Sequence, residues 1–196
     1  MAFNLMFYNM AFLEVLPQFK CLLEGTSEMF VCTEPDFCGN PSVEMFVDRE
    51  HPRSIYNWSE KMGLICRPGW QIGLFGSSYF AGYVSTLLWM PQYADRNGRK
   101  KYFQYAMIIN SFLYIVIMLS TNYTVTLISL LTVGFFTSWR QGVGFPYMIE
   151  FVGQKYRAIY GTAFNIFGST FGIFGALFFL FFSKNAYYFM GVGCAL

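Results

Sequence analysis

A short basic turn between two apolar segments constrains this chain more than any other feature. Residues 95–101 read Asp-Arg-Asn-Gly-Arg-Lys-Lys, and the apolar segments on both sides are long enough to cross a membrane. The composition agrees, since 55% of the 196 residues are hydrophobic, 21% are aromatic and only 12% are charged. The sequence therefore predicts helices that pack within a lipid bilayer.

Four segments have the length of a complete membrane span, and two are shorter. The complete spans are predicted at 71–94, 102–120, 125–151 and 158–183. Residues 1–16 and 186–196 each correspond to part of a span, so both ends of the chain look cut. A signal peptide is the competing interpretation of the N-terminus, but that segment contains Glu14 and has no basic region before its apolar run. The predicted fold is an all-α membrane protein with a partial helix at 1–17, a loop at 18–70, and helices two to six, the sixth incomplete, at 71–196.

Lysine and arginine are concentrated in two of the short turns. The turn after the second span has Arg96, Arg99, Lys100 and Lys101, and the turn after the fourth has Lys155 and Arg157. Because basic residues mark the cytoplasmic side, these turns are predicted to be cytoplasmic and the 18–70 loop to be extracellular.

The predicted extracellular loop contains four of the five cysteines, at Cys21, Cys32, Cys38 and Cys66. Two disulfides are expected, and the sequence does not choose among the three possible pairings. Zinc is the alternative, but the paired short spacing typical of zinc sites is absent, so no metal site is predicted.

Two glycosylation sequons begin at Asn57 and Asn122, on the predicted outer side. Asn57 is the preferred acceptor, because Asn122 lies close to the predicted membrane surface.

Several function classes are disfavoured. A net charge of +2, with the charges in loops, does not indicate nucleic-acid binding. His51 is the only histidine and has no nearby residues typical of a catalytic group, so neither an enzyme nor a cofactor is predicted.

Three motifs resemble those of the major facilitator superfamily. The 95–100 segment is similar to the pattern Gly-x-x-x-Asp-Arg-x-Gly-Arg-Arg/Lys between the second and third helices, with Pro91 in place of the first glycine. Arg140 and Gly144 resemble an Arg-x-x-x-Gly element of the fourth helix, and Glu150 and Arg157 resemble charged residues at its end and in the next turn. A long cysteine-bearing loop after the first helix is typical of the organic cation/anion transporter branch. The resemblance implies the N-terminal six-helix bundle of such a transporter, with the long extracellular loop between helices 1 and 2.

The same residues receive candidate roles. A charge in mid-membrane costs roughly 2.5–3.5 kcal/mol on insertion scales, so Arg140 is expected to face a protein-lined or water-filled interior. Its expected role is to contact an anionic substrate or to contribute electrostatically to coupling, and the alternative is a structural arginine bonded to backbone carbonyls and Gln141. The resemblance implies a transport or gating set formed by a cytoplasmic charge network and its glycines, and this set comprises Asp95, Arg96, Gly98, Arg99, Lys100, Arg140, Gly144, Glu150 and Arg157. Candidate cavity residues, which have helix packing as their alternative role, are Glu14, Tyr79, Tyr83, Asn110 and Asn165.

The sequence thus predicts transport of a small organic solute or ion across a membrane by alternating access. The plasma membrane is favoured by the disulfides and sequons. The expected partners are the lipid bilayer, the solute, and either the C-terminal half of the same transporter or a second membrane subunit. The alternative is a half-size or truncated membrane protein that acts as a structural or regulatory subunit without transport.

Overall fold

The computed structural model describes residues 6–23, 29–39 and 43–195. The chain is mostly helical, as predicted. Within the described residues the helices are α1 (Met10–Glu14), α2 (Glu34–Phe37), α3 (Trp58–Lys61), α4 (Gly69–Leu87), α5 (Met90–Asn97), α6 (Arg99–Leu119), α7 (Tyr123–Glu150), α8 (Arg157–Phe181) and α9 (Ala186–Ala195). A 3-10 turn, Gln154–Tyr156, precedes α8, and the strands are β1 (Phe19–Leu23), β2 (Met29–Cys32) and β3 (Val43–Val47).

Helices α4 and α7 approach each other at two glycines. A Cβ added to Gly82 would collide with the Leu131 carbonyl, and one added to Gly134 would collide with the Tyr79 carbonyl. Thr86 also donates its hydroxyl across the interface to the Phe135 carbonyl, at 3.1 Å. The small residues therefore bring the two backbones into contact, which is how membrane helices gain packing energy.

The predicted second span is divided in the structure. Helix α4 ends at Leu87, and a separate helix, α5, begins at Met90. Pro91 explains the break, because proline cannot donate to the carbonyl four residues earlier and its ring collides with that carbonyl. The carbonyl in question belongs to Leu87, the last residue of α4.

Two of the described helical segments are long and apolar enough to cross a membrane, namely Arg99–Leu119 and Gln154–Phe181. The outer face of the second segment exposes large apolar side chains such as Ile166, Leu180 and Phe181. A contiguous apolar face of this kind fits lipid better than water. These two helices therefore point to a membrane protein.

The all-α prediction is wrong for residues 18–68, here called the disulfide-bearing segment. Its strands form an antiparallel sheet in the order β2-β1-β3. Cys21 is bonded to Cys32 across β1 and β2, and Cys38 is bonded to Cys66. The prediction of two disulfides is confirmed, and the structure selects one of the three pairings. Cys21 and Cys32 share a small core with Phe19, Phe37 and Ile65.

Two aspartates of this segment have lowered pKa values. The Asp48 carboxylate accepts a hydrogen bond from the Lys20 ammonium at 2.9 Å, which lowers the pKa of Asp48. The Asp36 carboxylate accepts hydrogen bonds from the backbone N–H and the hydroxyl of Thr33, and these lower its pKa. Both carboxylates are therefore stabilised in the ionised form.

The disulfide-bearing segment is fastened to the helices at one end of the molecule. Trp58 is fully buried and its ring packs edge-on against Phe75 of α4. The Lys184 ammonium, between α8 and α9, donates to three successive carbonyls of residues 49–51 at 2.9–3.1 Å. The Lys61 ammonium donates to the Met118 carbonyl at the end of α6. The segment thus connects the ends of several helices.

Candidate functional site

A cavity of about 720 Å³ lies among the long helices. This volume is within the range of roughly 300–1,000 Å³ that is usual for small-molecule sites. Most of its wall is aromatic or apolar, and its polar lining residues are Tyr8, Tyr83, Arg140, Gln141, Tyr147 and Asn165. Arg140 is the one charged lining residue within the described part of the chain.

Arg140 lies on α7 and is half-buried. Its guanidinium interacts electrostatically with the phenol groups of Tyr79 and Tyr83 on α4. A guanidinium has several fixed donors, so it is suited to hold an oxygen-bearing group of a ligand as well as a phenol oxygen. The structure therefore brings Arg140 and Tyr83, two of the predicted residues, to one cavity.

The amides of the cavity already have local partners. Gln141 accepts a hydrogen bond from the Tyr83 hydroxyl at 3.1 Å, and Asn165 donates to the Gly161 carbonyl at 2.9 Å within α8. These bonds fix the orientation of both amides at the cavity.

Gly144 also lines the cavity, and a Cβ there would lie 2.7 Å from Cε2 of Phe103. The glycine thus allows the Phe103 ring of α6 to pack directly on the α7 backbone. Pro146, two residues further along, leaves the Gly142 carbonyl without its usual helical donor. Gly142 lines the cavity as well, so the interruption of the helical hydrogen bonds by Pro146 lies beside the cavity.

Three predicted cavity residues lie outside the lining. Glu14 faces α4, and its carboxylate oxygen is 3.6 Å from the position of a Cβ on Gly76. Tyr79 is 2% exposed, and its ring stacks on Tyr83 with centroids 6.5 Å apart. Asn110 is completely buried in α6. These residues contribute to helix packing around the cavity.

Arg99 lies between two carboxylates at the α5–α6 turn. Its Nε is 2.6 Å from the Asp95 carboxylate, and its Nη1 bonds the Glu150 carboxylate at the end of α7. Gly98 joins α5 to α6 with φ at +96°, a backbone conformation that residues other than glycine rarely adopt. The glycine of the motif is thus required by the backbone turn that places Arg99.

Other members of the predicted network are placed differently. Arg96 and Lys100 are exposed on the same turn. Arg157 donates from Nε to the Val152 carbonyl at 3.3 Å. The ion pairs described in this region therefore join Asp95, Arg99 and Glu150, which are called the charge group below.

The asparagines of the two sequons lie in opposite environments. Asn57 is completely buried, and its Nδ2, the atom that would carry a glycan, donates to the carbonyls of Phe12 and Val15 at 3.1 and 2.6 Å. Asn122 is exposed, and its Oδ1 accepts from the Thr124 N–H as the cap of α7. The amide nitrogen of Asn57 is thus used inside the fold, and the choice of acceptor between the two sequons stays a prediction.

The chain is distantly similar to known solute carriers. Over 106 residues, 54% of its length, it is 29% identical to solute carrier family 22 member 2 of Homo sapiens and of Oryctolagus cuniculus, and 28% identical to that of Pongo abelii. The matched part is 19% of each relative, so the chain spans about a fifth of the curated relatives it matches. No family model matches the chain. The similarity supports transport in general.

Several residues of the site were missed by the sequence analysis. Phe103, Phe145 and Phe164 form much of the aromatic wall, and Gln141 is the hydrogen-bond partner of Tyr83. Aromatic residues are frequent throughout the chain, so their pattern gave no signal. The position of Gln141 next to Arg140 was the one local clue.

Proposed function

We propose that this chain forms part of a transporter of the major facilitator type, which moves a small organic solute by alternating access. In this proposal the cavity beside Arg140 is one wall of the solute path, and the opposite wall comes from the C-terminal half of the same transporter or from a second membrane subunit. The protein crosses the plasma membrane several times, and the disulfide-bearing segment lies outside the cell.

The observation that carries the proposal is a half-buried arginine in a largely aromatic cavity. Without a function, a cation in this position is a cost in a membrane protein. With a solute, the guanidinium supplies directed hydrogen bonds, while the Phe103, Phe145 and Phe164 rings supply apolar contact area. The arrangement fits an organic molecule with an apolar body and a polar group.

The charge group supports alternating access. Arg99 joins the α5–α6 turn to the end of α7 through Asp95 and Glu150. These side chains are 25%, 50% and 55% exposed, so water competes for each of them and the pairs separate at small cost. We propose that the pairs hold this end closed in one state and part in the other.

Uptake into proteoliposomes tests the cavity. The natural polypeptide that contains this sequence is purified, reconstituted and tested with a panel of labelled organic cations and organic anions. For any accumulated solute, Arg140→Gln is expected to lower kcat/KM at least tenfold, and Arg140→Lys to recover part of the loss. Lys155→Gln is the control, because it removes a positive charge outside the cavity lining. Equal uptake by the wild type and Arg140→Gln would refute the role of the cavity.

The charge group needs a separate test, because it is proposed to control conformation rather than binding. Asp95→Asn and Glu150→Gln are expected to lower the uptake rate while equilibrium binding of the same solute changes less than twofold. Protein amount is measured in each preparation. Loss of binding in step with transport would contradict a gating role.

A further inference from the structure

A second cavity, which the proposed solute path does not use, lies at the N-terminal end of α6. Its volume is about 410 Å³ and its lining belongs to this one helix. The lining residues are Lys101, Phe103, Gln104, Tyr105, Met107 and Ile108. We call it the α6 groove.

The polar and apolar residues of the groove are ordered along the helix. Lys101, Gln104, Tyr105 and Ile108 follow the spacing i, i+3, i+4, i+7, so they share one face of α6. At 1.5 Å per residue, Ile108 lies about 10 Å further along the axis than Lys101. The groove thus has a cationic and amide end and an apolar end.

The groove lies on a helix of membrane-spanning length. Helix α6 is one of the two described segments long and apolar enough to cross a membrane, and Lys101 is near its first residue. Tyr105 is 57% exposed and Ile108 is 68% exposed, so the described residues of this chain leave this face open. The lysine therefore lies at the membrane surface and the isoleucine lies among acyl chains.

The charge near the polar end is positive. Arg96, Lys100 and Lys101 are exposed, while the two carboxylates described nearby, Asp95 and Glu150, are both bonded to Arg99. The acidic groups are thus occupied, and the lysines remain to attract an anion.

We propose that the α6 groove binds an anionic phospholipid of the adjacent leaflet. Its phosphate lies at Lys101 and Gln104, and an acyl chain lies along Met107 and Ile108. The ammonium and the amide supply donors to phosphate oxygens, and the apolar end packs against the acyl chain. Because Phe103 and Met107 also line the central cavity, the lipid would contact the same side chains from outside.

The full natural protein, in micelles of a neutral detergent, is titrated with a fluorescent phosphatidylserine. Unlabelled phosphatidylserine is expected to displace the probe, and phosphatidylcholine to displace it at least fivefold less well. Lys101→Gln is expected to weaken binding about fivefold, the equivalent of about 1 kcal/mol per lysine at an anionic surface. Lys100→Gln, with the same charge loss one residue away and outside the groove lining, is expected to change binding less than twofold.

Four results would overturn the proposal. Equal weakening in both variants would mean that the turn attracts anionic lipid without a site. Equal displacement by phosphatidylcholine would remove the role of charge, and displacement by inorganic phosphate alone would indicate a free-anion site. A photoactivatable phosphatidylserine on the wild type keeps the test independent of variant folding. Adducts are expected between residues 101 and 108, and labelling confined to other segments would refute the groove.

Discussion

Asn57 offers the sharpest test of the structure, because the sequence and the fold assign it different roles. Its Nδ2 donates to the carbonyls of Phe12 and Val15, and its Oδ1 accepts from the Ser59 N–H. Asn57→Asp keeps the size and the acceptor but replaces the donor with an oxygen that faces two carbonyls. At about 1 kcal/mol net for each lost hydrogen bond, with a further penalty for buried groups left unpaired, the variant should lose about 2–4 kcal/mol of stability.

Asn122→Asp is the matched control. It removes the other sequon by the same chemical change, yet a carboxylate still accepts from the Thr124 N–H at the α7 cap. In a glycosylating host, Asn122→Asp should abolish the mobility shift on glycan removal and leave the apparent Tm nearly unchanged. Asn57→Asp should keep the shift and lower the apparent Tm by several degrees.

The reverse pattern would refute this reasoning. If Asn57→Asp abolished the shift with an unchanged Tm, the Asn57 amide would have to be exposed, and the packing of the disulfide-bearing segment on the first helix would be wrong. Ser59→Thr is a further check on this packing, because it keeps the Asn57 sequon but crowds a hydroxyl that donates to the Glu14 carbonyl at 2.9 Å.

Three further predictions concern close contacts and charge. Gly82→Ala should destabilise the protein by about 2–3 kcal/mol or more, because the new Cβ would collide with the α7 backbone. Gly73→Ala is the control and should raise helix stability by up to about 1 kcal/mol, because a Cβ there meets nothing within 4 Å. Thermal melts of both variants test this prediction. Gly144→Ala should lower the Tm, and adding Phe103→Leu should recover part of the loss, so strictly additive effects would contradict the contact. Asp48 has a lowered pKa in the fold, so its contribution is present above the unfolded pKa of about 3.9 and is lost as the pH falls through the folded value. Asp48→Asn should therefore lower the Tm at pH 6 but not at pH 2, and parallel wild-type and variant curves would refute the ion pair.

The helices were predictable because apolar length is a direct property of the sequence. The predicted third span, 102–120, falls almost entirely within Arg99–Leu119. The second span, 71–94, was predicted as one helix because a count of apolar residues contains no information about backbone geometry. Pro91 predicts the break between α4 and α5, but in the sequence it was noted only as a departure from a motif. Proline inside an apolar run therefore predicts a helix break from backbone geometry alone.

Tertiary contacts were less accessible to sequence reasoning. The pairing of four cysteines depends on the sheet register, in which Cys21 and Cys32 lie on neighbouring strands. The burial of Asn57 depends on residues about 45 positions earlier in the chain. No local pattern reports either. Arg140 was identifiable because an isolated charge in an apolar segment is unusual whatever surrounds it.

The molecule has the disulfide-bearing segment at one end and the charge group at the other, and each end is stabilised by a different kind of contact. At the end of the disulfide-bearing segment the contacts include buried amide and hydroxyl bonds to the first helix and a fully buried tryptophan. At the end of the charge group, Arg99 holds exposed carboxylates, and such pairs contribute about 0–1 kcal/mol each. A buried hydrogen bond is costly to leave unpaired, whereas an exposed ion pair is replaced by water. If the protein works by alternating access, the end of the molecule that carries the charge group is therefore the one that opens within this chain. The opposite end, which carries the disulfide-bearing segment, moves as a unit.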